Sequence, residues 1–379
     1  MFKKEIEFIR SLYPEKEFIP LHEPCIIGKE KEYVNQAIDS TFVSSIGKYV
    51  HEFENMLCSF TKVKYSVATV NGTCALHAAL IGLGLGRGDE VITQPLTFIA
   101  TTNAIAYCGA DPIFLDVDIQ TLGLSPDALE DFLENQTVEK NAIVYNKHSG
   151  KKIAACLPVH IFGHPCRIDR IVDICDRYNI PVLEDCAESL GSTYKGNNTG
   201  TFGACSIFSF NGNKIVTSGG GGAVITNDKK MADRIRHITT TARTSDSQQF
   251  IHDEVGFNYR MPNLNAAFLC GQMENAQFFL KNKRQTAAAY KTFFQSSKLG
   301  FFTEPEHCVS NYWLNAVSCE DKKSRNTLLA QAQEAGVMVR PVWRLINKLA
   351  MYGSHQTDSL KNATWLEERI VNLPSSVRI

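Results

Sequence analysis

The chain has 379 residues, 44% hydrophobic and 21% charged, a globular composition long enough for about two domains. Its 39 lysines and arginines nearly match its 40 aspartates and glutamates, leaving a net charge of -1 with no run of like charge. That balance argues against a nucleic acid or a membrane surface as partner.

The N-terminal stretch MFKKEIEFIRSLYPEKEF is broken by charges and lacks the apolar run of a signal peptide. No segment approaches the roughly 18 apolar residues of a transmembrane helix. The 12 cysteines are scattered without a C-x-x-C pair, and Cys108, Cys156 and Cys270 sit inside apolar runs. Buried free thiols in a reducing cytosol are therefore expected, with no disulfide framework and no metal site.

In chain order, YSVATV reads as a strand, followed by NGTCALHAAL (Asn71–Leu80), where Gly72 permits a tight turn and Thr73 begins a helix. EVITQP (Glu90–Pro95) is a buried strand, TFIATTNAIAYCG a helix, and DPIFLDVD a strand. SPDALEDFLEN is a helix with Ser125 as N-cap and Pro126 at its first position. KIAACLPVHIFG, IPVLEDC, CSIFSF and GGAVITND are further strands, with RIDRIVDICDRYN a helix after the first of them. This alternation predicts an α/β fold, a mainly parallel sheet with helices on both faces. The pattern fades in TTARTSDSQQF, and a long helical stretch runs from Asn263 to Tyr290. SRNTLLAQAQEAG is a capped helix, and MVRPVW is extended. The expected division is a large α/β domain over 1–245 and a smaller α+β domain over 246–379.

Ligands of open α/β sheets gather beyond the carboxyl ends of the strands. The helix start at Gly72 and Thr73 offers free N–H groups and a positive dipole end to a phosphate. Asp185 closes the strand in VLEDCAES, and a buried carboxylate there calls for a partner such as a protonated ring nitrogen. Ser209 lies at a strand exit five residues before Lys214, in SFNGNKIVTSGGGG. Lys214 has the chemistry of a phosphate ligand or of a Schiff-base nucleophile, and the glycines after it let backbone pass close to a flat ring. Taken singly, each also fits a structural role: a capped helix, a turn-capping aspartate, a surface lysine. Together they are what pyridoxal 5'-phosphate requires, a lysine for the Schiff base and an aspartate for the pyridinium nitrogen. Phe98 is placed to stack on the ring.

NGTCALHAAL, TFIATTNAI, PVHIFGHPCRID, VLEDCAES, SIFSFNGNK, GFNYRMPNLNAA and VRPVW, in this order, resemble the DegT-type sugar aminotransferases over nearly the whole chain. The resemblance implies the aspartate-aminotransferase fold (fold type I). It also implies Lys214 as the lysine that carries pyridoxal phosphate, Asp185 as its N1 partner, and Phe98 as the stacking ring. Gly72, Thr73 and Ser209 would hold the phosphate, with Asn258 reaching the phosphate of a second subunit in a homodimer. Glu188 stands where many relatives carry Gln or His near the phenolic oxygen, and Gly219–Gly222 replaces a frequent G-E-G-G.

SFNGNK, IPLHEP and STFVSSIGKYVHEFE resemble a narrower branch. It moves an amino group from L-glutamate to C4 of UDP-linked 4-keto-6-deoxy-N-acetylhexosamines, on routes to bacillosamine and legionaminic acid. GDP-perosamine synthases are its neighbours, and dTDP-sugar aminotransferases a further alternative. His22, His160, Arg340 and Trp343 are candidates for binding the sugar; for His160 a satisfied core histidine fits equally. Relatives that remove the C3 hydroxyl carry His in place of the lysine, which Lys214 argues against. A non-catalytic sensor of the cofactor or nucleotide sugar would bind without amino transfer. A dinucleotide enzyme fails because the glycines of GLGLGRGD end a helix rather than begin one.

Overall fold

In the computed structural model, which describes residues 1–244 and 249–379, the apolar runs become strands of a central sheet. A four-stranded group sets Tyr65–Thr69, Gly222–Thr226, Cys205–Ser209 and Leu183–Asp185 side by side. A three-stranded group holds Asp111–Phe114, Glu90–Thr93 and Ile153–Leu157. Parallel bridges from Cys156 to Val182 and from Val159 to Asp185 join the groups.

One strand departs from the expected parallel alternation. Gly222–Thr226 runs antiparallel to both neighbours. The connection 210–221 contains no helix, so the chain turns straight back beside the strand it has just left. A parallel neighbour would need a crossover, usually helical. This hairpin-like return carries Lys214, and it brings Gly222 opposite both Thr69 and Ser209.

Side-chain alternation sorts the strands onto two cores. Ile207 and Val224 pack with Val67, Leu80 and Ile235, under the helices Gly72–Gly82 and Lys229–Thr239. Their neighbours Phe208 and Ile225 face the other way, against Phe53, Leu57 and Leu269. Ser125 caps Pro126–Gln136 as expected, accepting from Ala128 N–H. The long stretch expected from Asn263 is two helices, Asn263–Glu274 and Ala276–Phe294, because Asn275 leaves the helical region at φ -103, ψ 3.

The C-terminal part is an antiparallel sheet in the order Gly300–Phe301, Asn315–Ser318, Ile370–Leu373, Arg340–Pro341, packed with Lys322–Glu334. The first helix, Lys3–Ser11, joins this core rather than the central sheet: Ile6 and Ile9 bury against Tyr290, Phe294, Leu328 and Leu373. The expected boundary at 245/246 falls at residues outside the described ones. The 12 cysteines are all free, most of them buried, with Cys108 half-buried.

Candidate active site

The central sheet's parallel strands all end at one edge, and that edge opens into a cavity of about 410 Å3. Its lining includes Gly72, Thr73, Phe98, Asp185, Glu188, Ser209, Lys214 and Trp343, so eight of the expected site residues meet there. Thr97, Thr101, Val159, Asn213 and Trp313 complete much of the wall.

One end of the cavity is a bare helix start. Asn71 caps the helix Gly72–Gly82, its side chain accepting from Cys74 N–H at 2.8 Å. Gly72 lies so close to the end of the Cys205–Ser209 strand that a Cβ there would meet Ser209 Cβ at 2.9 Å. Glycine thus lets the hydroxyl of Ser209 and the helix N-terminus face one small volume, as an anion requires.

Asp185 ends the Leu183–Asp185 strand and is 2% exposed. Its Oδ2 accepts from Thr101 Oγ1 at 2.8 Å, and Oδ1 accepts from Ala187 N–H at 3.1 Å. Burial pushes this carboxyl above its ordinary range; the two hydrogen bonds and Lys214 oppose that. A cationic ring nitrogen beside it would favour the carboxylate further.

Lys214 projects from a turn closed by its own N–H donating to Asn211 O. Its Nζ lies 3.8 Å from Glu188 Oε1 and 3.7 Å from the centre of the Trp313 ring. Burial lowers the lysine's pKa, while Glu188 and Asp185 raise it. Glu188 keeps Oε2 on Phe162 N–H at 2.7 Å, and burial pushes its carboxyl up to about 7 against the pull of Lys214. Glu188 thus has one oxygen anchored and the other turned toward the lysine.

Phe98 stands at the mouth, 54% exposed, with its ring centre 6.4 Å from Trp343; Trp343 in turn leans on Phe162 at 5.4 Å. An aromatic wall of this kind suits a flat ring and a sugar face.

Four expected residues do not line the cavity. His160 is fully buried, with Nε2 on Glu184 Oε2 at 3.1 Å and Nδ1 accepting from Cys166 N–H at 3.0 Å. Both ring nitrogens are engaged inside the protein, so the substrate-binding expectation for His160 is corrected to a core role. His22 has both ring nitrogens closed off without hydrogen-bond partners. Burial holds its pKa well below the usual value, and Lys283 and Lys214 add to the shift, so it stands neutral behind the site. Arg340 is exposed on the edge strand Arg340–Pro341. Asn258 is exposed beside Thr240, away from this chain's own cavity.

Thr101 and Trp313 escaped the sequence reading. Thr101 follows Thr97 by four residues, across the start of the helix Ala100–Tyr107, and their hydroxyls lie 3.0 Å apart, a spacing visible in TFIATT. Trp313 reaches the lysine from a segment 99 residues downstream, and no local pattern announces it.

A phosphate-sized cradle at one end, a buried carboxylate at the other, a shielded lysine alongside and an aromatic mouth define a pyridoxal phosphate site on the fold type I scaffold. The DegT/DnrJ/EryC1/StrS aminotransferase family profile matches residues 24–379, and the chain belongs to that family. It is 39% identical over 358 residues to the GDP-perosamine synthase of Escherichia coli O157:H7, covering 94% of this chain and 93% of that one. The GDP-perosamine synthase of Vibrio cholerae is 34% identical over 363 residues, covering 94% of each. A DegT DnrJ EryC1 StrS aminotransferase from Brucella abortus superposes with a TM-score of 0.83 at 25% identity, covering 92% of this chain and 90% of that one. Aminotransferases of this family depend on pyridoxal phosphate, and this chain's lysine, aspartate and helix start fit it. Among the described residues no helix is long and apolar enough to cross a membrane.

Proposed function

We propose that this protein transfers the amino group of L-glutamate to C4 of a nucleotide-linked 4-keto-6-deoxy sugar, and that the nucleotide is GDP. The observation that carries the reading is the 39% identity to a GDP-perosamine synthase across 94% of the chain. It reverses the order of the sequence expectations, which placed a UDP-linked N-acetylhexosamine first. A bacterial surface glycan is the product's destination in this reading.

Pyridoxal phosphate, when bound, supplies the electron sink for a carbanion at the donor's α-carbon. The chain supplies position and protons. Gly72, Thr73 and Ser209 would hold the phosphate end, Phe98 would cover a face of the ring, and Asp185 would keep the ring nitrogen protonated. Lys214 would take the donor's α-proton and later deliver a proton to sugar C4. Burial favours its neutral form, as a base requires. Trp343 meets the sugar nucleotide at the mouth.

The active unit in this reading is a homodimer, with Asn258 completing the phosphate site of the second copy. Exposed Ile26, Ile38, Phe42 and Ile46 offer an apolar surface for that contact.

The test supplies the protein with pyridoxal phosphate and L-glutamate, then with a GDP-linked or a UDP-linked 4-keto-6-deoxy sugar. Formation of 2-oxoglutarate and of the GDP-linked 4-amino sugar is expected. Turnover of the UDP sugar alone overturns the nucleotide assignment; binding of the cofactor without amino transfer to either overturns the enzyme reading.

A further inference from the structure

Trp313 does two things to Lys214. Its ring face lies under the amine, 3.7 Å from Nζ to the ring centre. Its ring N–H donates to the carbonyl of Asn213 at 2.6 Å, the residue immediately before the lysine. One side chain thus holds both the root and the tip of Lys214.

The segment that presents Trp313 is fixed from several sides. Trp313 N–H donates to Asn311 Oδ1 at 2.8 Å, and Asn311 Nδ2 donates to the carbonyls of Glu188 and Leu190 at 2.9 Å. Leu314 N–H donates to Phe162 O. Asn311 packs so tightly on Gly163 that a Cβ there would meet its Oδ1 at 1.8 Å. Tyr312, next to the tryptophan, holds φ at +47, a left-handed conformation that a bulky residue avoids unless its surroundings impose it. The strained backbone, the anchored Asn311 and the clamped indole all converge on one position. They also tie Trp313 to Glu188, the carboxyl on the lysine's other side.

We propose that Trp313 is a positioning residue for Lys214: its indole face is the resting place of the lysine's amine whenever that amine is not bonded to carbon, and its ring N–H pins the turn from which the lysine swings. The inference rests on the reading of Lys214 as the nucleophile and base. An ammonium over an indole face is stabilised, most of all where water is excluded. The lysine can therefore accept a proton without moving into solvent, and Glu188 balances the charge it gains. A lysine that must leave and return between proton transfers needs such a place, because a wandering amine would lose the geometry that makes the transfer fast.

The experiment uses the full-length protein without cofactor, reductively methylated with isotope-labelled formaldehyde so that each lysine amine gives a methyl signal by NMR. The Lys214 signal is assigned by its loss in Lys214→Arg. In the unaltered protein it is expected upfield of the other lysines, shifted by the ring current of Trp313. In Trp313→Leu the displacement is lost and the titration midpoint of Lys214 falls by about one pH unit. In Trp313→Phe the displacement persists, but the Lys214 backbone amide exchanges with solvent about tenfold faster because the bond to Asn213 is gone. Thermal melting checks that each variant is folded; if Trp313→Leu does not fold, Trp313→Phe decides by the same two readouts. A Lys214 signal with no ring-current displacement, or one indifferent to both substitutions, overturns the proposal. So does unchanged amide exchange in Trp313→Phe. Neither readout uses pyridoxal phosphate, so failure of the transamination reading and failure of this one are separately visible.

Discussion

Lys214 and Glu188 face each other across 3.8 Å with 13% and 4% of their side chains exposed, a pairing of base and acid that each partner's burial makes expensive to ionise. With the Glu188 carboxyl pushed up to about 7 from 4.5, the folded protein keeps a proton over that window that the unfolded chain has released. Stability therefore falls as pH rises from about 4.5 to about 7 and levels off above. In Glu188→Gln that slope is expected to flatten by about 1–3 kcal/mol. Urea unfolding of both proteins between pH 5 and pH 8 reads it; an identical slope in the two would show that Glu188 does not titrate there.

Thr101 is the carboxylate's closest support. Thr101→Val removes the 2.8 Å donor to Asp185 Oδ2, which lets the carboxyl rise further and weakens its hold on a cationic ring nitrogen. Affinity for pyridoxal phosphate is expected to fall about tenfold. Titration of the cofactor-free protein with pyridoxal phosphate, followed by absorbance, measures it.

Gly222 explains part of the glycine run after the lysine. A Cβ at this position would meet Asn71 C and O at 2.4 Å and Gly72 N at 2.7 Å, all backbone atoms that cannot move aside. Gly222→Ala is expected to destabilise the protein by about 3 kcal/mol and to disturb the helix start it presses on. A lower urea midpoint together with weaker phosphate binding confirms this; an unchanged midpoint refutes it.

His160 and Trp343 separate core from site. His160→Gln disrupts a buried pair with Glu184 and is expected to cost about 1–3 kcal/mol in unfolding experiments while leaving the KM for the sugar nucleotide unchanged. Trp343→Ala removes an aromatic wall of the cavity and is expected to raise that KM about tenfold, with the glutamate half-reaction unaffected. Steady-state and single-turnover kinetics on the two variants give opposite patterns if the assignment holds.

The sequence by itself determined most of the strands, the edge and which residues gather at the edge. Apolar runs of strand length alternating with helical patterns specify a mostly parallel sheet, and residues just past such strands lie at one rim whatever the packing details. Gly72, Thr73, Phe98, Asp185 and Ser209 were legible for that reason, since each lies at or beside a strand or helix end, and Lys214 was legible as a lysine five residues past one. Only the tertiary structure decided what came from elsewhere. The direction of Gly222–Thr226 depended on the path of a twelve-residue connection, not on the strand's composition. His160 looked like a rim residue until Glu184 and Cys166 took both of its nitrogens. Trp313 and Glu188 were given their relation to Lys214 by contacts between segments far apart in the chain, and no local period or motif encodes such a contact. The physical reason is range: strand and helix ends are fixed by neighbours in sequence, whereas the burial, charge state and resting position of a side chain are fixed by whatever the fold packs against it.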